Sequence, residues 1–190
     1  MEDTLLKLDY QIFEAINQKG TFDLGDQFFP WITDLHHNLY FKILIIPFLL
    51  FFFVKYHKKA GPILFLFLAL SIGWADFTGS VVKNHYLRLR PFENHEITAI
   101  QRSPAGSKSF YSNHTSTLVD VATFTGNFIP VLRIPFFIIA GVVAYSRMYN
   151  GVHYPSDVLA GAIMGFIWGN LFTALAQRLL KMIQARKEKI

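Results

Sequence analysis

Long apolar runs, separated by short polar segments, dominate the chain after residue 38 and predict helices that cross a membrane. We expect five spans, at about residues 39–54, 62–82, 114–132, 134–149 and 158–180. Each is roughly long enough to cross about 30 Å of hydrocarbon as a helix, with the first and fourth the shortest. An odd number of crossings puts the two chain ends on opposite sides of the membrane. The predicted fold class is therefore all-α, a polytopic membrane bundle of about five transmembrane helices.

The first 37 residues show a different pattern. Within residues 1–17, four apolar side chains recur at helical spacing: Leu5, Leu8, Ile12 and Ile16. Asp9 is an exception, because it falls inside this apolar stripe. The pattern predicts an amphipathic helix that either lies in the membrane interface or packs on the bundle, and the sequence leaves both placements open. Residues 18–37, with two glycines and a proline, predict a loop.

One domain covering residues 1–190 is expected, and the chain shows no internal repeat or linker. Its parts are the interfacial helix and loop in 1–37, the transmembrane core in 38–183 and a basic cytoplasmic tail in 184–190. We expect no cleavable signal peptide, because the first residues are acidic and no apolar core with a cleavage site follows. The spans themselves are then expected to direct insertion.

Composition supports a membrane protein and excludes several other classes. Hydrophobic residues make up 52% of the chain and phenylalanine alone occurs 20 times, which is more apolar surface than a soluble domain of 190 residues could bury. The absence of cysteine excludes disulfides, thiolate metal sites and a cysteine nucleophile. The net charge of +5 fits cytoplasmic loops, anionic lipid or an anionic substrate. Nucleic acid is disfavoured, because the positive residues do not lie on a soluble face.

Basic residues occur on both faces of the predicted bundle. Alternation of the spans puts the loop around Lys55 and Lys58, together with Arg133 and the C-terminal tail, on one face, which their charge predicts to be cytoplasmic. The opposite face also carries six basic residues: Lys83, Arg88, Arg90, Arg102, Lys108 and Arg147. An anionic substrate on that face would explain this departure from the positive-inside rule.

Three polar clusters fall at span ends on this second face. The stretch KNHYLRLRP contains Lys83 and Arg90, YSNHTS contains Ser112, Asn113 and His114, and SRMYNGVHYPSD contains Ser146, Arg147, His153 and Asp157. Because alternation of the spans brings the three stretches to one membrane surface, we expect their side chains to form one site.

These stretches resemble the three-part signature of the type 2 phosphatidic acid phosphatase family, relatives of the vanadium haloperoxidases. The signature has a lysine separated by six residues from Arg-Pro, then Ser-x-His, then Ser-Arg followed by histidine and aspartate, and all nine fixed positions occur here in order. The resemblance implies a haloperoxidase-like membrane core. The family usually has Pro-Ser-Gly-His where this chain has Tyr-Ser-Asn-His. Asn113 is expected to keep the loop shape, since asparagine tolerates left-handed backbone.

Phosphate-ester hydrolysis requires neutralisation of the charge on the phosphate oxygens. The sequence shows no carboxylate cluster suited to magnesium, so we expect Lys83, Arg90 and Arg147 to clamp these oxygens without a metal or another cofactor. Ser112 and the amides beginning with Asn113 are expected to add donors at the start of a span, since helix N-termini bind phosphate.

Two histidines and an aspartate complete the expected chemistry. A neutral imidazole can attack phosphorus, and Asp157, about one helical turn after His153, is suited to orient its ring. The residues alone do not decide which histidine attacks. The resemblance implies that His153 is the nucleophile that forms a phosphohistidine, that Asp157 orients it, and that His114 is the general acid toward the leaving group.

Other polar residues are assigned structural roles. Arg88 is expected to reach lipid head groups and is left out of the site. Asp76 and Asp120 lie within spans, where a structural role is favoured over support of the site. His36 and His37 are not expected to bind a metal, because adjacent residues diverge on a helix.

The expected function is a metal-independent lipid phosphatase of the bacterial inner membrane with an outward-facing site. Its partners would be a lipid phosphate and membrane lipids, without nucleic acid, and the sequence does not predict the oligomeric state. Undecaprenyl diphosphate is the first choice of substrate, because small bacterial members of the family that the chain resembles commonly recycle it. Phosphatidylglycerol phosphate, phosphatidate and lipid A phosphate stay open, as does phosphotransfer to a lipid acceptor. A non-enzymatic binder of lipid phosphate is disfavoured.

Overall fold

Seven α-helices and no β-strand make up the described part of the chain, residues 2–35 and 38–187, in this computed structural model. In chain order the helices are α1 (Glu2–Glu14), α2 (Asp23–Asp34), α3 (Leu39–His57), α4 (Gly61–His85), α5 (Asn113–Phe128), α6 (Arg133–Tyr149) and α7 (Pro155–Lys187). The predicted all-α class is confirmed. The pair His36 and His37, considered above for metal binding, lies outside the described residues.

Four of the predicted spans correspond to long apolar helices. By length and composition, three helical stretches could cross a membrane: Leu39–His85, Pro130–Tyr149 and Pro155–Lys187. The first of them contains both α3 and α4, because the chain turns through Lys58–Ala60, where Lys58 has a φ of 50°. The two helices pack together, with the rings of Phe53 and Phe65 centred 6.5 Å apart.

The remaining predicted span, 114–132, corresponds to α5, which ends earlier, at Phe128. This helix is shorter and more polar than the stretches above, yet ten of its 16 residues are buried. They are buried because α4, α6 and α7 pack around α5. A helix shielded from lipid can carry hydroxyl groups and even Asp120, whose Oδ1 accepts a hydrogen bond from Ser71 of α4 over 2.7 Å. This contact is consistent with the structural role favoured for Asp120.

Glycines four residues apart allow α7 to approach α5 closely. A Cβ atom at Gly165 would lie 2.1 Å from the carbonyl oxygen of Ser116, and one at Gly161 would lie 2.6 Å from that of Ser112. Small residues at this spacing are typical of close helix contacts in membranes. The contact fixes the first turns of α5 and α7, which both carry predicted site residues, against each other.

An apolar core fills the end of the bundle away from these first turns. It consists of buried side chains from four helices and the turn after α5: Leu49, Phe53, Leu64, Leu68, Val121, Phe124, Ile129, Leu132 and Ala176. In a bilayer these side chains stabilise the bundle through close packing rather than by leaving water, because lipid tails are as apolar as the side chains themselves. The core therefore stabilises one end of the bundle and leaves the other end to polar groups.

The prediction of a loop over residues 18–37 is wrong, because Asp23–Asp34 form α2. Tertiary packing outweighs the helix-breaking tendency of the glycine and proline in this helix. At Gly25 a Cβ atom would lie 2.7 Å from the phenolic oxygen of Tyr149, and the ring of Phe29 is centred 4.6 Å from the ring of Tyr149. Helix α2 is thus docked on the last turn of α6.

The N-terminal helix α1 combines the two placements that the sequence left open. Phe13 is fully buried and Asp9 is 8% exposed, so one side of the helix packs on the bundle. Leu5 and Leu8 remain 66% and 51% exposed, so the other side is free to meet lipid. The helix is amphipathic as predicted, and Asp9 lies on its packed side.

The predicted basic tail, residues 184–190, begins inside α7. That helix continues to Lys187, so the first four residues of the tail extend it. The last three residues of the tail lie outside the described part of the chain. The division of the chain into a single domain with these boundaries stays a prediction.

Candidate active site

The three polar clusters meet where the last turns of α4 and α6 adjoin the first turns of α5 and α7. Lys83 Nζ of α4 lies 2.7 Å from the side-chain oxygen of Asn113 in α5. Arg90, on the loop after α4, places Nη1 3.3 Å from Nε2 of His153, on the loop before α7. The structure thus brings the first cluster into contact with the other two.

Arg90 is buried, and backbone carbonyls hold its guanidinium in place. Its nitrogens donate over 2.7 to 3.1 Å to three carbonyl oxygens, those of Gly106, Ser107 and Val152. Burial lowers the pKa of Arg90, whereas Asp157 and Glu93 act in the opposite direction. Because a guanidinium has five N–H groups, this one can still donate to a bound anion while it stays next to His153.

His153 is buried between a cation and a carboxylate. Its Nε2 faces Arg90, and its Nδ1 lies 3.5 Å from Oδ2 of Asp157, which is longer than an ordinary hydrogen bond. Burial lowers the pKa of His153 from 6.5 to about 3 against the opposing effect of Asp157, and Arg147 and Arg90 add to the lowering. The ring is therefore neutral near pH 7, which is the form that can attack phosphorus.

Asp157, in the first turn of α7, is fully buried and held from several sides. Its Oδ2 accepts from the backbone N–H of Tyr154 over 2.9 Å and from the hydroxyl of Ser109. Its Oδ1 accepts from Nη1 of Arg88 over 2.7 Å. Its backbone carbonyl accepts from the N–H of Ser112, over 3.1 Å, at the start of α5. The predicted orienting carboxylate is thus fixed before any substrate binds.

Arg88, predicted to reach lipid head groups, instead contacts the predicted site residue Asp157. Its guanidinium points inward, with Nη1 2.7 Å from Asp157 Oδ1 and Nη2 2.5 Å from Asp9 Oδ2, so the predicted head-group contact is wrong. Burial opposes its charge, but Asp157 and Asp9 together raise the pKa of Arg88. The one sequence signal for this contact is the position of Asp9 inside the apolar stripe of α1.

The first turn of α5 provides helix N-terminal donors beside these groups. Ser112 is its N-cap residue, and the Ser112 hydroxyl oxygen accepts from the N–H and the hydroxyl of Thr115 over 3.4 and 3.1 Å. Because Ser112 acts as acceptor in both bonds, its own hydroxyl hydrogen can still be donated. His114 is half-buried in the same turn. A helix N-terminus of this kind favours an anion.

Asn113 joins Lys83 to Asp76. Its Oδ1 accepts from Lys83, and its Nδ2 donates to Asp76 Oδ1 over 2.9 Å, so Asp76 supports the site through Asn113. The tolerance of asparagine for left-handed backbone is not needed here, because Asn113 is the first residue of a right-handed helix. Among the described non-glycine residues, positive φ values occur at Lys58 and Ser107.

Arg147 is held by the helix that the sequence did not predict. Its Nη1 donates to the hydroxyl of Thr33 in α2 over 2.6 Å. Its carbonyl oxygen accepts from the N–H groups of Val152 and His153 over 3.2 and 3.3 Å, so the loop before α7 folds around it. No periodic signal marks Thr33, because its contact depends on the docking of α2 on α6.

Cations outnumber carboxylates among the predicted site residues. Lys83, Arg90 and Arg147 are all buried, and Asp157 is the only carboxylate of the predicted set. Within residues 2–35 and 38–187, no group of three or more His, Cys, Asp or Glu side chains could hold a metal ion. The arrangement can therefore bind an anion such as a phosphate through side-chain cations.

An apolar groove of about 630 Å³ begins beside the site and runs along α6 and α7. At the site end its lining includes Thr115, Met148 and Pro155. Thr115 and Met148 directly follow predicted site residues in the chain, and Pro155 lies two positions after another, His153. Further along, its walls are apolar side chains of the two helices, among them Phe137, Ala140, Leu159, Ile163 and Phe166. The polar residues of the site and the apolar groove thus adjoin at one end of the bundle.

Comparison with known proteins agrees with this fold. The family model described as "PAP2 superfamily" matches residues 64–181, a range that contains all eight predicted site residues. The chain is 30% identical over 139 residues to a lipid A 4'-phosphatase of Bacteroides thetaiotaomicron, which is 69% of this chain and 62% of that protein. It is 28% identical over 138 residues to a lipid A 4'-phosphatase of Porphyromonas gingivalis, which is 67% of this chain and 57% of that protein. The alignments thus span about three-fifths of these relatives.

A solved structure supports the architecture. The crystal structure of a transmembrane PAP2 type phosphatidylglycerolphosphate phosphatase from Bacillus subtilis superposes with a TM-score of 0.72. The superposition covers 92% of this chain and 87% of that one, at 24% sequence identity. At this identity the likeness shows a shared fold.

Proposed function

This chain belongs to the PAP2 superfamily, and on that basis we propose that it is an integral-membrane phosphatase that removes a phosphate group from a lipid. The observation that carries the proposal is a neutral, buried imidazole between a cation and a carboxylate. His153 Nε2 lies 3.3 Å from Arg90 Nη1, and its other nitrogen faces Asp157. A phosphoryl group bound by Arg90 would sit beside a nucleophile whose far nitrogen is oriented, as in-line attack requires.

In the proposed first step, His153 attacks the phosphorus through Nε2. Arg90 transfers its hydrogen bond from Nε2 to a phosphate oxygen, and the nitrogen–phosphorus bond forms as the bond from phosphorus to the lipid oxygen breaks. His114 donates its proton to the leaving oxygen. Asp157 stabilises the positive charge that develops on the imidazole.

In the second step, water replaces the histidine. His114, now neutral, takes a proton from the water as its oxygen attacks phosphorus and the nitrogen–phosphorus bond breaks. Inorganic phosphate leaves and His153 returns to its neutral form. The net reaction is hydrolysis, with no cofactor consumed.

Lys83, Arg90 and Arg147 stabilise the charge on the phosphate oxygens in both steps. Removing one preorganised donor of this kind typically costs roughly 10²–10³-fold in kcat. Ser112 and the first amides of α5, beginning with Asn113, supply further donors. The Asn113 side chain acts indirectly, because it holds Lys83 in position.

A lipid phosphate such as that of lipid A is the substrate class that we propose. The groove beside the site supports a lipid, because it can hold apolar chains while the phosphate lies among the cations. The names of the two lipid A 4'-phosphatases support this head group. Undecaprenyl diphosphate, the first choice from the sequence, has no counterpart among these relatives. It stays a competing substrate, together with phosphatidylglycerol phosphate and phosphatidate.

We place the site on the outer face of a bacterial inner membrane. The basic turn Lys58–Ala60 precedes α4, and Lys83 lies in the last turn of that helix, so the turn and the site are at opposite ends of the bundle. Arg133, at the start of α6, is likewise at the far end from Arg147. The positive-inside rule then favours a cytoplasmic position for the basic turn and an outward position for the site.

A phosphate-release assay tests the proposal. Purified protein in detergent with EDTA is given lipid A, phosphatidylglycerol phosphate, phosphatidate or undecaprenyl diphosphate, and inorganic phosphate is measured. We expect release without added metal, fastest from lipid A, and no release by His153→Ala. His95→Ala is the matched control, because His95 is an exposed histidine on the loop between α4 and α5 and should keep full activity.

Each other outcome corrects a stated part of the proposal. Activity in His153→Ala refutes the assigned nucleophile, and activity that EDTA abolishes refutes the metal-independent mechanism. Fastest turnover of undecaprenyl diphosphate restores the substrate expected from the sequence. Passage of labelled phosphate to a lipid acceptor without release identifies a phosphotransferase.

A further inference from the structure

We propose that Asp9 of α1 is a positioning residue for the reaction, and that it acts through Arg88 on Asp157 and thereby on His153. The inference rests on the proposed function and extends it to a helix that precedes the family match at residues 64–181. Asp9 is buried on the packed side of α1, although it interrupts the apolar stripe of that helix. A buried carboxylate is costly unless it is paired, and the partners of this one lead to the site.

Asp9 binds the start of α7 directly. Its Oδ1 accepts from the backbone N–H of Ser156 over 2.8 Å, and its Oδ2 accepts from the Ser156 hydroxyl over 2.6 Å. This N–H lies in the first turn of α7, where backbone donors have no acceptor within the helix. The carboxylate is also favoured there by the helix dipole. Asp9 therefore caps, from another helix, the turn that carries Asp157.

Asp9 also holds Arg88 from the side opposite Asp157. Arg88 Nη2 donates to Asp9 over 2.5 Å, while its Nη1 donates to Asp157 and to the Ser156 hydroxyl, each over 2.7 Å. The guanidinium carbon lies 4.0 Å from the centre of the Tyr154 ring. A guanidinium bound at both ends and stacked on a ring cannot swing toward solvent. Its position relative to Asp157 is thus set by Asp9.

The charges explain why this contact matters to the chemistry. Two carboxylates, Asp9 and Asp157, share one guanidinium, Arg88, so these three side chains together carry a net charge of −1 on the side of the His153 ring opposite Arg90. Without Asp9, the charges of Arg88 and Asp157 would cancel, and that side of the ring would lose its excess negative charge. Attack on phosphorus makes the imidazole positive, so loss of this negative charge destabilises the transition state more than the bound substrate. The loss should therefore appear in kcat and much less in KM.

Asp26 of α2 offers a matched control. It accepts from Nε of Arg102 over 2.8 Å and from the hydroxyl of Tyr149 over 2.7 Å. Asp26 therefore also ties an N-terminal helix to the bundle through a carboxylate–arginine pair. Nη1 of Arg102 donates to the carbonyl oxygens of Asn17 and Tyr149 rather than to a carboxylate of the site. Asp26→Asn thus removes a similar tether without touching the link to His153.

The kinetic test compares the wild type with Asp9→Asn, Asp9→Glu and Asp26→Asn in the phosphate-release assay. We expect Asp9→Asn to lower kcat roughly 10- to 100-fold with KM nearly unchanged, by analogy with carboxylates that orient the histidine ligands of a metal, whose loss costs about that much activity. Asp9→Glu should recover part of the loss. Asp26→Asn should lose far less kcat than Asp9→Asn, because Asp26 has no bond to Arg88 or Asp157. The double variant Asp9→Asn/Arg88→Gln should lose less kcat than the sum of the two single losses predicts, because Asp9 acts partly through Arg88.

The nitrogen-15 NMR signals of the His153 ring give a readout that does not depend on turnover. Signals assigned with His153→Ala should shift in Asp9→Asn and stay in place in Asp26→Asn. The protein could hydrolyse none of the four lipids and still show this shift of the His153 signals. In that case the proposed function fails, but the link from Asp9 to His153 is supported. Each of four outcomes would overturn the inference. In the kinetic test these are a wild-type kcat in Asp9→Asn, equal losses of kcat in Asp9→Asn and Asp26→Asn, or additive losses in the double variant. In the NMR test the outcome is His153 signals that do not change in Asp9→Asn.

Discussion

The ammonium of Lys83 lies 2.7 Å from the side-chain oxygen of Asn113, which ties a predicted phosphate-binding cation to the start of α5. The same amide donates to Asp76 over 2.9 Å. Gly79 makes room for this arrangement, since a Cβ atom there would lie 2.2 Å from Asn113 Oδ1. Because the partner of Lys83 is neutral, the lysine can exchange that bond for one to a phosphate without leaving an unpaired charge behind.

Replacement of Asn113 by aspartate should therefore weaken substrate binding. The new carboxylate would pair with Lys83, and it would repel both Asp76 and the phosphate. Since hydrogen bonds to charged groups contribute about 1.5–3 kcal/mol, we expect Asn113→Asp to raise KM roughly 10- to 100-fold in the phosphate-release assay. Asn113→Gly, which removes the side chain without adding charge, is the control and should change KM much less. Equal KM values for the two variants would contradict this account of Lys83.

His153 should stay neutral well below the usual range of histidine, because burial lowers its pKa to about 3. In the unfolded chain the pKa is about 6.5, so between these two values the unfolded state binds a proton that the folded state does not. The stability associated with this residue is therefore lost as pH falls from about 6.5 toward 3. The nucleophile itself keeps its reactive form over that interval. We thus expect kcat/KM to show no acidic limb from His153 between about pH 5 and 8.

Nitrogen-15 NMR titration of the His153 ring measures this directly. The signals should indicate the neutral form down to the lowest pH at which the protein stays folded. Exposed His95 serves as the internal reference, since its signals are recorded in the same samples. A midpoint near 6.5 for His153 would show that its ring is far more accessible to water than the structure has it.

The meeting of the three clusters could be predicted because it depends on topology alone. Residues that flank apolar runs must lie at a membrane surface, and alternation of the runs puts Lys83, His114 and His153 on the same one. The cluster at the start of α5 is evident from its own residues, whatever the polarity of the rest of that helix. What the pattern could not give is the early end of this helix at Phe128.

Two parts of the site could not be predicted, because they depend on contacts between distant segments. Arg88 turns inward to meet Asp9, 79 residues earlier in the chain, and no local pattern records such a pair. Helix α2 forms despite its glycine and proline because it packs on Tyr149, and only that packing brings Thr33 to Arg147. Local propensity is a weak guide wherever tertiary contacts decide the conformation.

Gly165 sets the distance between α5 and α7, so a single added methyl group should damage the fold. Its Cβ would lie 2.1 Å from the Ser116 carbonyl oxygen, a backbone atom that cannot move aside on its own. We expect Gly165→Ala to lower the free energy of unfolding by about 1–3 kcal/mol, the usual cost of overpacking, and to lower activity by moving the first turn of α7. Thermal unfolding in detergent measures the change.

Gly73 of α4 is the matched control for this substitution. It is exposed, and no atom lies within 4 Å of the position that its Cβ would take. Gly73→Ala should leave the unfolding temperature unchanged or raise it, since alanine favours a helix by roughly 1 kcal/mol over glycine. If both variants unfold at the same temperature as the wild type, the close contact of α5 with α7 is not present in the protein.

The groove beside the site should determine how the enzyme handles the apolar chains of its substrate. Ala162 of α7 is half-buried in the groove wall, and a phenylalanine there would occupy space that we assign to a lipid chain. We expect Ala162→Phe to raise KM for a long-chain lipid phosphate by about tenfold, because fitting a lipid chain past the added ring would overpack the groove at a cost of about 1–3 kcal/mol. Hydrolysis of a short water-soluble phosphate ester should not change, because His153 is left intact.

Ala69→Phe is the control for this substitution. It lies at an exposed position of α4 outside the groove lining and should affect neither substrate. An equal loss of activity by Ala162→Phe on the soluble ester would mean that the substitution disturbs the site itself, and the groove would then have no established part in binding lipid.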